Sequence, residues 1–332
     1  MTIQQLLKTA PITTLLLASF IGLFIMQVLT GVDANNPSTA ELLKWGANAL
    51  PYTMDNEPWR LVSSAFLHIG LMHLLFNGFA MYFFGQIAEP MFGSAKFLAL
   101  FLLAAIGGNL LNNHVTWQSL LDGTGQPGLS AGASGGIMGI GTALLIAALF
   151  KISVNGMVLN LKSLIIIMGI NLVYGFAVPG IDNAGHIGGA VTGLIIALAF
   201  AIAYRQRLAS ALHNVPSQAR DSYQTTYINS TAGSDTDHSA YTSVNAPRFD
   251  NEADFVNNSS FNHDSTVNSH LNNHANRTNL NHGKVDEQKT ASKSTLMWQL
   301  LPWLVMILIS IGFIWWWQDI HQQILQVLAT IE

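Results

Sequence analysis

Cysteine is absent from the 332 residues, which excludes disulfides, a thiol nucleophile and cysteine-ligated zinc or iron–sulfur centres. Charge is scarce too. Asp, Glu, Lys and Arg make up 10% of the chain, where soluble domains carry about 25%. The net charge of −4 is small and unclustered, so nothing points to a nucleic-acid partner. No histidine and carboxylate cluster has zincin spacing, and no two apolar stretches carry facing aspartates. A metalloprotease and an aspartyl dyad both lack their residues, and no metal or cofactor is expected. The alternation of a membrane β-barrel is also missing. What remains is half hydrophobic, with a mean hydropathy of +0.36. That is the composition of a helical protein that crosses a bilayer several times.

Stretches of about 17–25 apolar residues are long enough to cross the hydrocarbon core. Seven are read here, at 12–30, 65–87, 97–115, 133–150, 162–179, 184–204 and 297–317. In the sixth, Gly185, Gly189 and Gly193 recur every fourth residue, and the fourth has a similar row around Gly132, Gly135, Gly136 and Gly139. Small residues on one stripe let helix backbones approach closely. Residues 206–296 differ, being polar, aperiodic and poor in branched aliphatics. Such a segment cannot bury enough apolar area to order itself and is expected to be a disordered linker. The expected division is a six-helix core over 1–205, a linker over 206–296 and a seventh helix with a short tail over 297–332. Histidines in the linker (His213, His238, His263, His270, His274 and His282) are too irregularly spaced to form a metal site.

Basic residues give the orientation. With the N-terminus cytoplasmic, Lys8, Lys96, Lys151, Lys162, Arg205 and Arg207 fall on the inner side and only Lys44 and Arg60 on the outer.

Polar residues at membrane depth are costly and usually functional. Ser134 stands at the head of the fourth span in Gly132-Ala133-Ser134-Gly135, and His186 at the head of the sixth in Gly185-His186-Ile187-Gly188-Gly189. Both heads are expected at the outer level, so a Ser134–His186 hydrogen bond is geometrically plausible. Serine would be the nucleophile and histidine the general base, then the acid to the leaving amine. The second span brings His73 and Asn77 to one helix face at the same depth, where an imidazole and an amide N–H can stabilise an oxyanion with the Ser134 backbone N–H. His68, earlier on another face, reads as structural. Asp182, four residues before His186, reads as a helix cap rather than the third member of a triad.

These residues resemble the rhomboid family of intramembrane serine proteases over most of residues 1–205. The resemblance rests on four elements in order: Trp59-Arg60, His68-x4-His73-x3-Asn77, the G-x-S-G around Ser134, and the histidine–glycine run at His186. It implies a six-helix catalytic bundle with a water-filled cavity opening outward, a Ser134–His186 dyad and an oxyanion site including His73 and Asn77. Residues 31–64 would then be a partly inserted first loop locked by Arg60, and Glu89 a structural acid at the inner edge. One position departs from the family: Met138 stands where well-known bacterial members place an aromatic ring on the catalytic histidine. A thioether can also pack on an imidazole.

The expectation is therefore an intramembrane endopeptidase of a bacterial inner (plasma) membrane, cutting in or near transmembrane segments of other proteins close to the outer face. The lipid bilayer is its other partner. Two alternatives compete: a catalytically silent rhomboid-like protein that binds membrane clients, and a solute transporter, which would require an internal repeat that is not found. The linker and seventh helix lie outside the motifs, and deleting 206–332 is expected to leave activity intact.

Overall fold

A computed structural model describes residues 3–125, 128–153, 159–177, 182–213 and 281–331. The chain forms two units. The larger holds residues 1–152, 158–202 and 300–332, and the smaller holds 153–157 and 203–299. In the smaller, Tyr204 donates to the Ser153 carbonyl at 2.9 Å.

Helices α1 (Ile3–Thr9) and α2 (Pro11–Leu29) lead into the first loop. There α3 (Thr39–Trp45), α4 (Leu50–Thr53) and α5 (Arg60–Ser63) are short and separated by turns. Five longer helices follow: α6 (Leu71–Phe92), α7 (Ser94–Leu121), α8 (Ser134–Leu149), α9 (Leu161–Ala177) and α10 (Asn183–His213). The last is α11 (Asn281–Ile331). Two-residue strands β1 (Asn48–Ala49) and β2 (Leu129–Ser130) pair antiparallel, with Asn48 opposite Ser130. They tie the first loop to the segment entering α8.

Five described helices are long and apolar enough to cross a membrane: α2, α6, α7, α10 and α11. The protein is an all-α, multi-pass membrane protein. Helix α8 is shorter, at 16 residues. At 1.5 Å per residue it spans about 24 Å, about 6 Å less than a hydrocarbon core of about 30 Å. Ser134 is its first residue.

A helix stands at each of the seven expected spans with shifted ends, and among the described residues those at 133–150 and 162–179 are shorter than a crossing requires. Helix α6 begins at Leu71 rather than 65, because Gly70 (φ +146°) reverses the chain there and a 3-10 turn covers Ser64–Phe66. A side chain at Gly70 would also press on the Asn35 carbonyl at 3.0 Å. Helix α7 continues to Leu121 through Asn112, Asn113 and Thr116, all buried. Most of the polar segment at 206–296 lies outside the described residues; α10 runs into it as far as His213, and α11 already starts at Asn281.

The core of the bundle is aromatic. Phe20, Phe84, Phe97 and Phe101 are fully buried, and a side chain on Gly136 would strike the Phe101 ring. Elsewhere glycines remove the side chains altogether. A Cβ on Gly189 would fall on the Gly135 carbonyl, and one on Gly193 on the Gly139 carbonyl. One on Gly188 would lie 2.6 Å from the Gly107 carbonyl, and one on Gly108 2.5 Å from that of Gly185. Helix α10 thus lies backbone to backbone against both α8 and α7. The contacting row of α8 is Gly135 and Gly139, while Gly136 faces α7.

Candidate active site

The glycine contacts decide where the polar residues meet. Ser134 directly precedes Gly135, and Gly135 abuts the turn of α10 from Gly185 to Gly189, which carries His186. Ser134 and His186 therefore occupy touching turns of two helices. A cavity of about 70 Å³ opens there, lined by Ser134, His73, Asn109, Ser130 and Asp182 among others. It has room for several waters. His186 is buried and its Nδ1 has no partner. Among the described contacts no hydrogen bond joins Ser134 to His186.

His73 and Asn77 converge on the same place from α6. The Ile69 N–H donates to His73 Nδ1 at 3.4 Å. With Nδ1 accepting, a neutral ring carries its proton on Nε2. That edge faces Gly132: a Cβ there would lie 2.6 Å from His73 Cε1 and 3.0 Å from Nε2. Asn77 is buried, its Nδ2 has no acceptor, and it lies 3.7 Å from the same Cβ position. Gly132 (φ +148°) can accept neither the backbone angle nor the crowding with a side chain present. Two unspent N–H donors thus point at the loop that delivers Ser134.

That loop is fixed from the other side. The Gly132 N–H donates to the Ser64 carbonyl at 2.9 Å. Asn109 of α7 donates to the Ser64 hydroxyl and to the Leu61 carbonyl, both at 2.8 Å. Arg60 is buried, donating to the carbonyls of Leu43 at 2.7 Å and Ala47 at 3.0 Å and pairing with Glu57. Its guanidinium also lies over the rings of Trp59 and Tyr52. One side chain closes the whole first loop.

The remaining residues fall into place around this centre. Asp182 accepts from the Gly185 N–H at 2.7 Å, which caps α10, and its other carboxylate oxygen is buried without a partner. His68 lies in the turn before α6, buried, with its ring 5.4 Å from that of His73. Met138 is buried on α8. No group of three or more His, Asp or Glu able to hold a metal occurs among the described residues. Of the linker histidines, His238, His263, His270 and His274 lie outside the described residues. Nothing in the sequence motifs singles out Asn109 and Ser64. The signal available was the run of Asn109, Asn112, Asn113 and Thr116 inside an apolar helix, a costly placement without buried partners.

These features define a helical membrane protein in which Ser134, His73 and Asn109 line a small polar cavity, with His186 on the adjoining turn of α10. Residues 55–203 match the rhomboid domain, and by that match this part of the chain belongs to the rhomboid family. The chain is 37% identical over 198 residues to Rhomboid protease GluP of Bacillus subtilis (strain 168), covering 58% of this chain and 37% of GluP. It is 31% identical over 177 residues to Rhomboid protease AarA of Providencia stuartii, covering 48% of this chain and 62% of AarA. RHOMBOID-like protein 1 of Arabidopsis thaliana is 33% identical over 189 residues, covering 56% of this chain and 46% of that protein. The chain thus spans between 37% and 62% of the length of these curated relatives, less than two thirds of each.

Proposed function

We propose that the protein is an intramembrane serine endopeptidase that hydrolyses peptide bonds in or near transmembrane segments of other membrane proteins. The observation that carries this reading is the backbone contact of Gly135 with Gly189, which sets Ser134 and His186 on adjoining helix turns beside a polar cavity. The names of the relatives GluP and AarA, both proteases, agree with it.

In this mechanism the Ser134 hydroxyl attacks the scissile carbonyl carbon while His186 takes its proton. The tetrahedral oxyanion forms beside Gly132 and is met by His73 Nε2–H, the Asn77 amide and the Ser134 backbone N–H. Collapse expels the amine, which receives its proton from His186, and leaves an acyl-serine. Water from the cavity, deprotonated by His186, then releases the acid. A dyad suffices because the imidazole is held by packing, and a buried charged carboxylate would need its own partners. The substrate must unwind locally. A helix hides its carbonyls in hydrogen bonds, and freeing one in lipid costs several kcal/mol. Segments that unwind readily close to the outer face, with small residues at the cut bond, are the proposed substrates. The membrane is proposed to be a bacterial inner membrane, with the N-terminus inside and the cavity opening outward.

The test is cleavage of a generic transmembrane substrate by the purified chain in liposomes, beside Ser134→Ala and His186→Ala. Cleavage by the wild type alone is expected. Cleavage surviving either substitution would remove the dyad. Intact wild type that binds but never cuts several substrates would favour the client-binding alternative.

A further inference from the structure

The motifs leave the seventh apolar helix dispensable for activity. Its packing points the other way. Phe313 of α11 covers the face of α7 at Gly107, where a Cβ would lie 2.8 Å from the phenyl edge. Ile320 is fully buried in one apolar cluster with Leu50, Met54 and Leu61 of the first loop and Leu110 and Trp117 of α7. Polar bonds then fix the register. The Trp317 indole N–H donates to the Thr53 carbonyl at 3.0 Å, and His321 Nδ1 bonds the Met54 carbonyl at 2.5 Å. The two rings stack at 6° with centroids 5.2 Å apart. Gln323 accepts from the Trp117 indole at 3.1 Å and is held by Asp319 at 2.8 Å.

Helix α4 has only four residues, Leu50–Thr53. A single turn has no stability of its own, and the carbonyls at its end lack helical partners. Those of Thr53 and Met54 are taken by α11. The same cluster contains Leu61, whose carbonyl accepts from Asn109; Asn109 also holds Ser64, and Ser64 holds Gly132. Three hydrogen-bonded links therefore run from the α11 cluster to the loop that presents Ser134.

We propose that α11 is a positioning element of the active site, with Trp317 and His321 as positioning residues that set the first loop against α7 and, through Leu61, Asn109 and Ser64, fix Gly132. This rests on the proteolytic reading of Ser134. At Gly107 of α7, Phe313 of α11 and Thr192 of α10 crowd the same point, and the route from α11 to the reaction proposed here runs through the first loop.

The test uses the full chain in liposomes with Trp317→Phe, the double variant Trp317→Ala/His321→Ala, and Leu308→Ala on the exposed side of α11. Turnover is measured together with amide exchange at Gly132. Trp317→Phe keeps an aromatic ring, smaller than the indole, and removes the donor, so it reports even where the double variant unfolds. The expected result is a fall in kcat of about tenfold or more for the double variant and about threefold for Trp317→Phe, with KM within twofold, and faster Gly132 exchange in both. Leu308→Ala should match the wild type. Wild-type kcat and wild-type Gly132 exchange in Trp317→Phe and in the folded double variant would overturn the proposal. A wild type without any activity would overturn the proteolytic reading instead, and Gly132 exchange would still decide whether α11 fixes that loop.

Discussion

Glu89 of α6 caps the start of α2 at Thr13, across 76 residues of sequence. Its carboxylate accepts from the backbone N–H of Ile12 at 2.9 Å and of Thr13 at 2.7 Å, from the Thr13 hydroxyl at 2.8 Å and from Ser94 at 2.6 Å. Helix α2 has no capping side chain of its own, because Ala10 stands at the cap and Pro11 opens the first turn. The orphan N–H groups of the helix are thus satisfied by a neighbour, and the anion sits at the positive end of the helix dipole.

Glu89→Ala leaves the buried Thr13 donors, and the part-buried donors of Ile12 and Ser94, without their acceptor. Bonds to a charged group contribute about 1.5–3 kcal/mol each, and they do not add fully. The expected loss is about 2–4 kcal/mol, read as a lower unfolding midpoint in a mild detergent. Glu89→Gln should lose less, since one oxygen remains to accept. An unchanged midpoint for Glu89→Ala would show that the α2–α6 junction is held by apolar packing alone.

Much of this architecture could be read from the sequence, and the reasons are physical. Apolar length marks the helices because a bilayer leaves a chain few other ways to satisfy its backbone. Glycine at every fourth residue of α10 marks a close helix contact, and Gly189 and Gly193 make it. The partner row on α8 is ambiguous in the sequence, since Gly135 and Gly136 are both glycine and only the rotation of the helix decides which faces α10. Ser134, His186, His73 and Asn77 stand out as polar groups in apolar segments. The support behind them does not, because Asn109–Ser64 and Ser64–Gly132 join residues 45 and more apart with no period to betray them. The role of α11 is invisible for the same reason: the bond from Trp317 to Thr53 spans 264 residues.

If His73 and Asn77 stabilise the oxyanion, their removal should slow chemistry and leave substrate binding alone. Loss of one such donor typically costs about 10²–10³ in turnover. His73→Ala and Asn77→Ala are expected to lower kcat within that range with little change in KM. Because both donors approach the same site at Gly132, the double variant should lose less than the product of the two single losses. Wild-type turnover in either single variant would remove that side chain from the mechanism.

The α8–α10 contact makes an opposite prediction for two glycines. Gly189→Ala puts a methyl where the Gly135 carbonyl already lies, so the helices must separate. A displacement of about 1 Å can cost about 10²-fold in rate, and Ser134 and His186 ride on these two turns. Turnover should fall by about that factor. At Gly22 of α2 an added Cβ would meet nothing within 4 Å, so Gly22→Ala should leave activity unchanged. It should raise stability by up to about 1 kcal/mol through helix propensity. Equal activities for the two variants would mean that the close contact does not position the site.

The first loop carries a separate dependence on acid. The Glu41 carboxyl is held below its ordinary value of 4.5, first by the Ser38 hydroxyl and then by the Ser38 backbone N–H, as the capping box of α3. Asp33 is held below 3.8 by the backbone N–H groups of Asn35 and Asn36. A carboxyl whose value is lower in the folded loop favours that fold above its unfolded value, and this support is lost as the pH falls through the folded value. The loop should therefore be indifferent between pH 7 and pH 5 and loosen below about pH 4.5. Amide exchange across residues 33–45 measures this directly. The double variant Glu41→Gln/Asp33→Asn should show the looser loop already at neutral pH and little further change on acidification. A wild-type acid response in that double variant would place the titrating groups elsewhere, since the two carboxylates that hold the loop ends would then be gone.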